Sequence, residues 1–228
     1  MKDNSIAKLG GTCAILVGIL YLVVGVTFFM LPAEQQPGSA AAEFLKSLAA
    51  SSTVTVVQYW AFALGALLAI AVVTAVSDLV RSANEGLVRW TSTLAIIGFA
   101  VVAVGFLIAQ NDSPRLAAGF VKVDESAQAA LAVMGTRGLD PDGWMGFGTV
   151  GLWFLVVNWL AMRGGQLPKG LTYVGLAAGV AYALVVAGNV LSIPVLIAVA
   201  AGLGGIIIAP IWYIWTGVVL RRPNTQLS

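Results

Sequence analysis

Six stretches of this chain are long and apolar enough to cross a bilayer, which takes about 20 mostly apolar residues. They are Leu9–Leu31, Thr53–Val80, Leu87–Ala109, Trp144–Met162, Leu171–Ile193 and Val195–Leu220. A backbone in hydrocarbon must satisfy its own polar groups, so each stretch is predicted to be a helix. The expected fold is all-α, a polytopic bundle of six transmembrane helices forming a single domain over residues 1–228. Composition agrees: 59% of residues are hydrophobic and 10% charged, against roughly 25% charged in soluble domains. The first run is too long for a signal-peptide core of about 7–15 residues and reads as a retained helix.

Pro32 ends the first run, and Ser77-Asp78 with Ser82–Glu85 close the second. Gln110-Asn111-Asp112 close the third and Gly164-Gly165 the fourth. Pro168 suits the first turn of the fifth. Pro194 leaves almost no loop before the sixth, predicting a tight antiparallel hairpin.

Lysine and arginine set orientation. With the N-terminus inside, Lys2, Lys8, Arg81, Arg89, Arg163, Lys169, Arg221 and Arg222 face the cytoplasm, while Lys46, Arg115, Lys122 and Arg137 face outward. Both termini are expected to be cytoplasmic. Two outer connections are long. In the first, Ser39 is the expected N-cap of a short interfacial helix carrying Phe44, Leu45 and Leu48 on one face. In the second, Ser113-Pro114 reads as a cap and first-turn proline. Asp124 is the expected cap of a helix through Met134, and GLDPDGW as a turn into the fourth span. Both loops are expected over the outer mouth of the bundle.

Small residues let helices approach closely in lipid. Gly11, Gly18 and Gly25 recur every seven residues, as do Gly98 and Gly105. Ala61, Gly65 and Ala69, and Gly175, Gly179, Ala183 and Ala187, recur every four. These are expected to be packing seams within one bundle, with homodimerisation through a seam as the alternative. GILYLVV at Gly18–Val24 resembles GLWFLVV at Gly151–Val157, three spans apart, as inverted transporter repeats would be.

All lysines, arginines and acids lie in loops or at span ends. Pumps and proton relays normally hold ionisable groups in the membrane, so that class is disfavoured. Histidine is absent and Cys13 is the single cysteine. Neither a cysteine metal cluster nor an intrachain disulfide is available, no cofactor or metal is expected, and Cys13 reads as a packing residue. A net charge of +2 without a basic cluster gives no reason to expect nucleic acid. The outer acids Asp112, Asp124, Glu125, Asp140 and Asp142 fit no calcium loop, and the DPDG acids read first as turn formers.

Polar residues inside the spans are few. Gln58, Tyr59 and Asn189 form a predicted outer zone, Asn158 and Tyr213 an inner one. Interfacial belts account for Trp60, Trp144, Trp90, Trp159 and Trp215. Trp153 and Trp212 each lie nine residues from an interface marker, Trp144 or Arg221, about 14 Å at ~1.5 Å per residue. They are too deep for a belt. They fill the core or line an apolar pocket together with Asn158, Pro210 and Tyr213. Pro210 cannot donate to Ile206, which predicts a kink or an opened turn.

LGGTCAILVGILYLVVG near the start, LDPDGWMGFGTVGLW at the fourth span and PIWYIWTGVVLRR near the end resemble a group of uncharacterised six-helix membrane proteins. The group is the one catalogued as domain of unknown function 4386. The resemblance implies six spans in a bacterial inner membrane, and no activity. Three functional readings remain: a non-enzymatic binder of an apolar or lipid-like ligand or of a partner protein, a neutral-solute transporter, and a membrane enzyme using the outer acids.

Overall fold

A computed structural model describes residues 5–36, 39–134 and 138–222 of the chain. Lys2 and Arg137, which enter the charge reading, lie outside these residues. The described residues hold six helices long and apolar enough to span a membrane. Spans 1 to 6 are Ser5–Met30, Thr53–Ala83, Glu85–Phe120, Trp144–Gly164, Lys169–Val190 and Pro194–Arg221. The protein is a multi-pass membrane protein with no strand among its described residues.

Each span packs against its chain neighbours, and span 6 closes the ring on span 1. Gly11 faces the Gly217 carbonyl and the Arg221 stem, so both described ends lie on one side. We call this the termini side and the other the loop side. The expected seams lie between spans of the same chain. Gly18 faces Ile214 and the Pro210 carbonyl, and Gly25 faces Ile206. Gly65 lies against Tyr21, and Gly179 against Leu155 and the Gly151 carbonyl. Gly105 departs from the pattern, with nothing within 4 Å of where a β-carbon would stand.

The third span corrects the sequence reading most. It runs past Ala109 and through Pro114 to Phe120, 36 residues in all. That is about 54 Å at ~1.5 Å per residue, more than the ~40–45 Å of a whole bilayer. Ser113 is therefore no cap. Pro114 removes one backbone bond, the one an N–H there would donate to the Gln110 carbonyl. The extension is held because Ala117 and Phe120 bury against Leu45 and Leu48 of the helix Ala41–Ala50. That short helix thus turns its apolar face to protein, not to an interface. Its N-cap is Ala40, not Ser39, whose hydroxyl donates to the carbonyls of Ala33 and Gln36.

Gln35 anchors the same corner. It is buried, donates to Ser47 Oγ (3.0 Å) and the Ser51 carbonyl (2.9 Å), and accepts from Thr55 Oγ1 (2.6 Å). Asp124 caps the helix Glu125–Met134 as expected, accepting from Ala127 N at 2.9 Å. Span 1 begins at Ser5, four residues earlier than expected. Span 5 ends at Val190, three earlier, because Ser192 takes a left-handed turn (φ 55°) into the hairpin before Pro194.

Two spans contain a turn of π-helix, Trp144–Thr149 in span 4 and Gly202–Ile208 in span 6. The second ends two residues before Pro210, where the missing N–H opens the ladder as predicted. Ala209 N reaches back five residues to the Gly204 carbonyl. The first follows the DPDG turn. Gly143 (φ 73°) closes that turn on the Asp140 carbonyl, and Asp140 Oδ2 accepts from Met145 N (2.9 Å) and Gly146 N (2.7 Å).

Candidate functional site

Trp153, Asn158 and Trp212 are fully buried and Tyr213 is 1% exposed, with Phe154 between them. Trp153 meets Trp212 edge-on at 5.9 Å between centroids, and Phe154 meets Trp212 at 4.6 Å. Tyr213 continues the cluster to Tyr21 of span 1 at 5.6 Å, and Phe154 continues it to Tyr182 of span 5 at 5.8 Å. Edge-to-face pairing of this kind is the favoured aromatic geometry. The ring of helices is therefore plugged by aromatic rings. Trp153, Asn158, Trp212 and Tyr213, expected to line a pocket, pack against one another in the core, and Pro210 is buried with its carbonyl towards Gly18 of span 1.

A tryptophan this deep needs a partner for its indole N–H. Trp212 Nε1 donates to Asn158 Oδ1 at 3.0 Å, and Asn158 Nδ2 donates to the Phe154 carbonyl at 2.8 Å. The Asn158 amide lies over Gly175, where a methyl group would overlap it. Trp153 Nε1 donates to Ser77 Oγ at 3.0 Å, and Ser77 pairs with Ser92 Oγ at 2.6 Å. The sequence reading missed both serines, treating Ser77 as the end of a span. A signal was available: Ser77 and Ser92 sit equidistant from the turn at Asn84-Glu85, so an antiparallel hairpin brings them level. Two hydroxyls here, Tyr213 Oη and Thr216 Oγ1, are buried without a hydrogen-bond partner among the described residues.

The predicted outer zone divides. Gln58 Nε2 donates to the Val24 carbonyl of span 1 at 3.4 Å, and Tyr59 packs on Phe106 of span 3 at 5.6 Å. Asn189 Nδ2 instead donates to the Asp142 carbonyl at 3.0 Å, tying span 5 to the turn before span 4. No group of three His, Cys, Asp or Glu side chains suited to a metal occurs among the described residues.

A concave feature lies away from this cluster. Trp144, Gly148, Leu152 and Leu155 of span 4 face Ala183, Val186, Ala187 and Val190 of span 5 across a groove of about 490 Å³ on the loop-side half. Small residues at 148, 183 and 187 make its floor low, and the π turn of span 4 sets Trp144 over Gly148. Leu191 closes the loop-side end. A shallower depression of about 310 Å³ continues past Leu155 to Val156, Trp159 and Leu176. The walls are apolar, and the groove is open to the surface of the molecule.

The family model described as a domain of unknown function (DUF4386) matches residues 16–218. The chain belongs to this family. Within DUF4386, the matched range takes in all of spans 2 to 5, the plugged core and the whole groove. No curated protein and no solved structure matches the chain.

Proposed function

We propose that this DUF4386 protein is a non-enzymatic membrane protein that holds a lipid-like ligand by one hydrocarbon chain in the groove between spans 4 and 5. The observation that carries this reading is the groove itself. Its volume of about 490 Å³ falls within the roughly 300–1,000 Å³ of small-molecule sites. Its length, Trp144 to Leu155, is about half a membrane crossing, which suits an acyl or isoprenoid chain of one leaflet better than a spanning helix. Trp144, 57% exposed, stands where an interfacial tryptophan meets headgroups. The setting that fits the charge distribution is a bacterial inner membrane with both termini cytoplasmic.

The test is the lipid that co-purifies. Ala183→Trp places an indole on the groove floor, and the expected result is loss of tightly held lipid on extraction and mass spectrometry, with the fold kept. Unchanged lipid content in that variant would falsify the reading.

A transporter of a neutral solute is the second reading. Gly18, Tyr21 and Val24 are buried, and so are Gly151, Phe154 and Val157 at the corresponding positions of the GILYLVV and GLWFLVV stretches. The closed ring in chain order suits two inverted halves. Superposing spans 1–3 on spans 4–6 in opposite orientation tests it; halves that fail to superpose remove its support.

A further inference from the structure

We propose that the depression towards the termini-side end of spans 4 and 5 holds one acyl chain of an anionic phospholipid, whose phosphate pairs with Arg163. This site goes beyond the Trp144 groove and does not require it. The observation that carries it is the position of a guanidinium against an apolar wall. Leu155, Val156 and Trp159 of span 4 and Leu176 of span 5 line a depression of about 310 Å³. Arg163 follows Trp159 by one turn, and its Cζ stands 4.1 Å from the centroid of the Trp159 ring. The charge is therefore held on a residue that lines the depression, in the last turn of span 4.

An indole holds a guanidinium by its face and leaves the N–H edge free. Arg163 is exposed, and it makes no hydrogen bond or ion pair among the described residues, where the ion pair is Arg81 with Glu85. That edge matches two oxygens of one phosphate. The surroundings keep the sign positive. From Gly143 to Arg222, all of it described, the charged side chains are Arg163, Lys169, Arg221 and Arg222, with no acid. The termini-side acids Asp78 and Glu85 belong to the end of span 2 and the start of span 3, where Arg81 bonds Glu85. Lys2 and Asp3 lie outside the described residues and carry opposite charges. Leu155 and Arg163 are eight residues apart, about 12 Å at ~1.5 Å per residue. That is most of the ~15 Å of hydrocarbon in one leaflet. A chain lying on Leu155 and Leu176 thus brings its phosphate to the level of Arg163. A zwitterionic headgroup carries its own cation there, whereas an anionic one keeps the full attraction.

The test is competition. The purified full chain is exchanged into mixed micelles holding equal amounts of phosphatidylglycerol and phosphatidylcholine with identical acyl chains. Bound lipids are counted by native mass spectrometry. The expected preference for phosphatidylglycerol is roughly three- to five-fold, the scale of a single interfacial charge pair. Arg163→Gln should bring the ratio to about one with the melting temperature unchanged. Lys169→Gln removes a charge from the same side but not from the Trp159 ring, and should keep the preference. Leu176→Trp fills the depression and should lower bound phosphatidylglycerol. Ala183→Trp alters only the other groove and should leave the preference intact, so the two sites fail separately. Equal retention of both lipids by the parent protein overturns the proposal, and so does a preference that survives Arg163→Gln. A preference lost as fully in Lys169→Gln as in Arg163→Gln belongs to a diffuse basic surface and overturns it too.

Discussion

Asn158 ties three elements with one amide. It takes the Trp212 indole proton from span 6, returns its own N–H to the backbone of span 4, and occupies the space left by Gly175 in span 5. Asn158→Leu would strand the Trp212 N–H in a dry core. The expected cost is about 1–3 kcal/mol, because an unpaired buried donor loses its full solvation. Trp212→Phe combined with Asn158→Leu removes both partners and should cost less than the two separate losses added. Unfolding in mixed micelles reads both variants, and strict additivity would show that the two side chains are not coupled. At this scale the sequence was informative about depth. Five tryptophans expected in the belts are 37–57% exposed and the two expected to be deep are 0% exposed. It did not reveal partners, since nothing local to Trp153 points to Ser77, 76 residues away in sequence.

Span 6 shows what governs an element. Pro210 breaks the ladder, the π turn absorbs the break, and Gly217 then lets the span close on span 1. A methyl at Gly217 would meet the Gly11 carbonyl at 2.6 Å and Ile15 N at 3.0 Å, both backbone atoms that cannot rotate away. Gly217→Ala should therefore lower the melting temperature clearly. Gly105→Ala, with open space around it, should leave it unchanged or raise it, by up to ~1 kcal/mol from helix propensity. Equal effects of the two substitutions would contradict the assigned seam. The seven-residue spacing of Gly11, Gly18 and Gly25 marked one helix face, but not which helix lies on it. The length of span 3 was legible still less. Gln110 to Pro114 has the composition of a helix end, and only burial of Ala117 and Phe120 under the helix Ala41–Ala50 carries the helix through.

For the whole molecule, the ring order, the plugged centre and the lateral groove act together. A plugged core leaves a concavity on the outer wall between spans 4 and 5, which is why ligand binding is proposed there. Orientation is testable on the same scaffold, because Cys13 is buried and gives little background. With the loop side extracytoplasmic, a cysteine at Ala50 should react with a membrane-impermeant thiol reagent in intact cells, and one at Ala83 only after lysis. The reverse pattern would invert the proposed topology.

Composition and hydrophobic run length alone determined the class of fold and the number of spans, because lipid removes every backbone solution except a satisfied helix in segments of this kind. The glycine spacing, the depth of each tryptophan and the opening at Pro210 followed from the same local geometry. Only tertiary structure decided that Trp153, Asn158, Trp212 and Tyr213 make a packed plug, that Ser77 completes it, and that a concavity lies between spans 4 and 5. Those outcomes depend on which faces meet across long separations in the chain, and an apolar sequence allows many such pairings with nearly the same transfer energy. Close packing and the few available hydrogen bonds select among them.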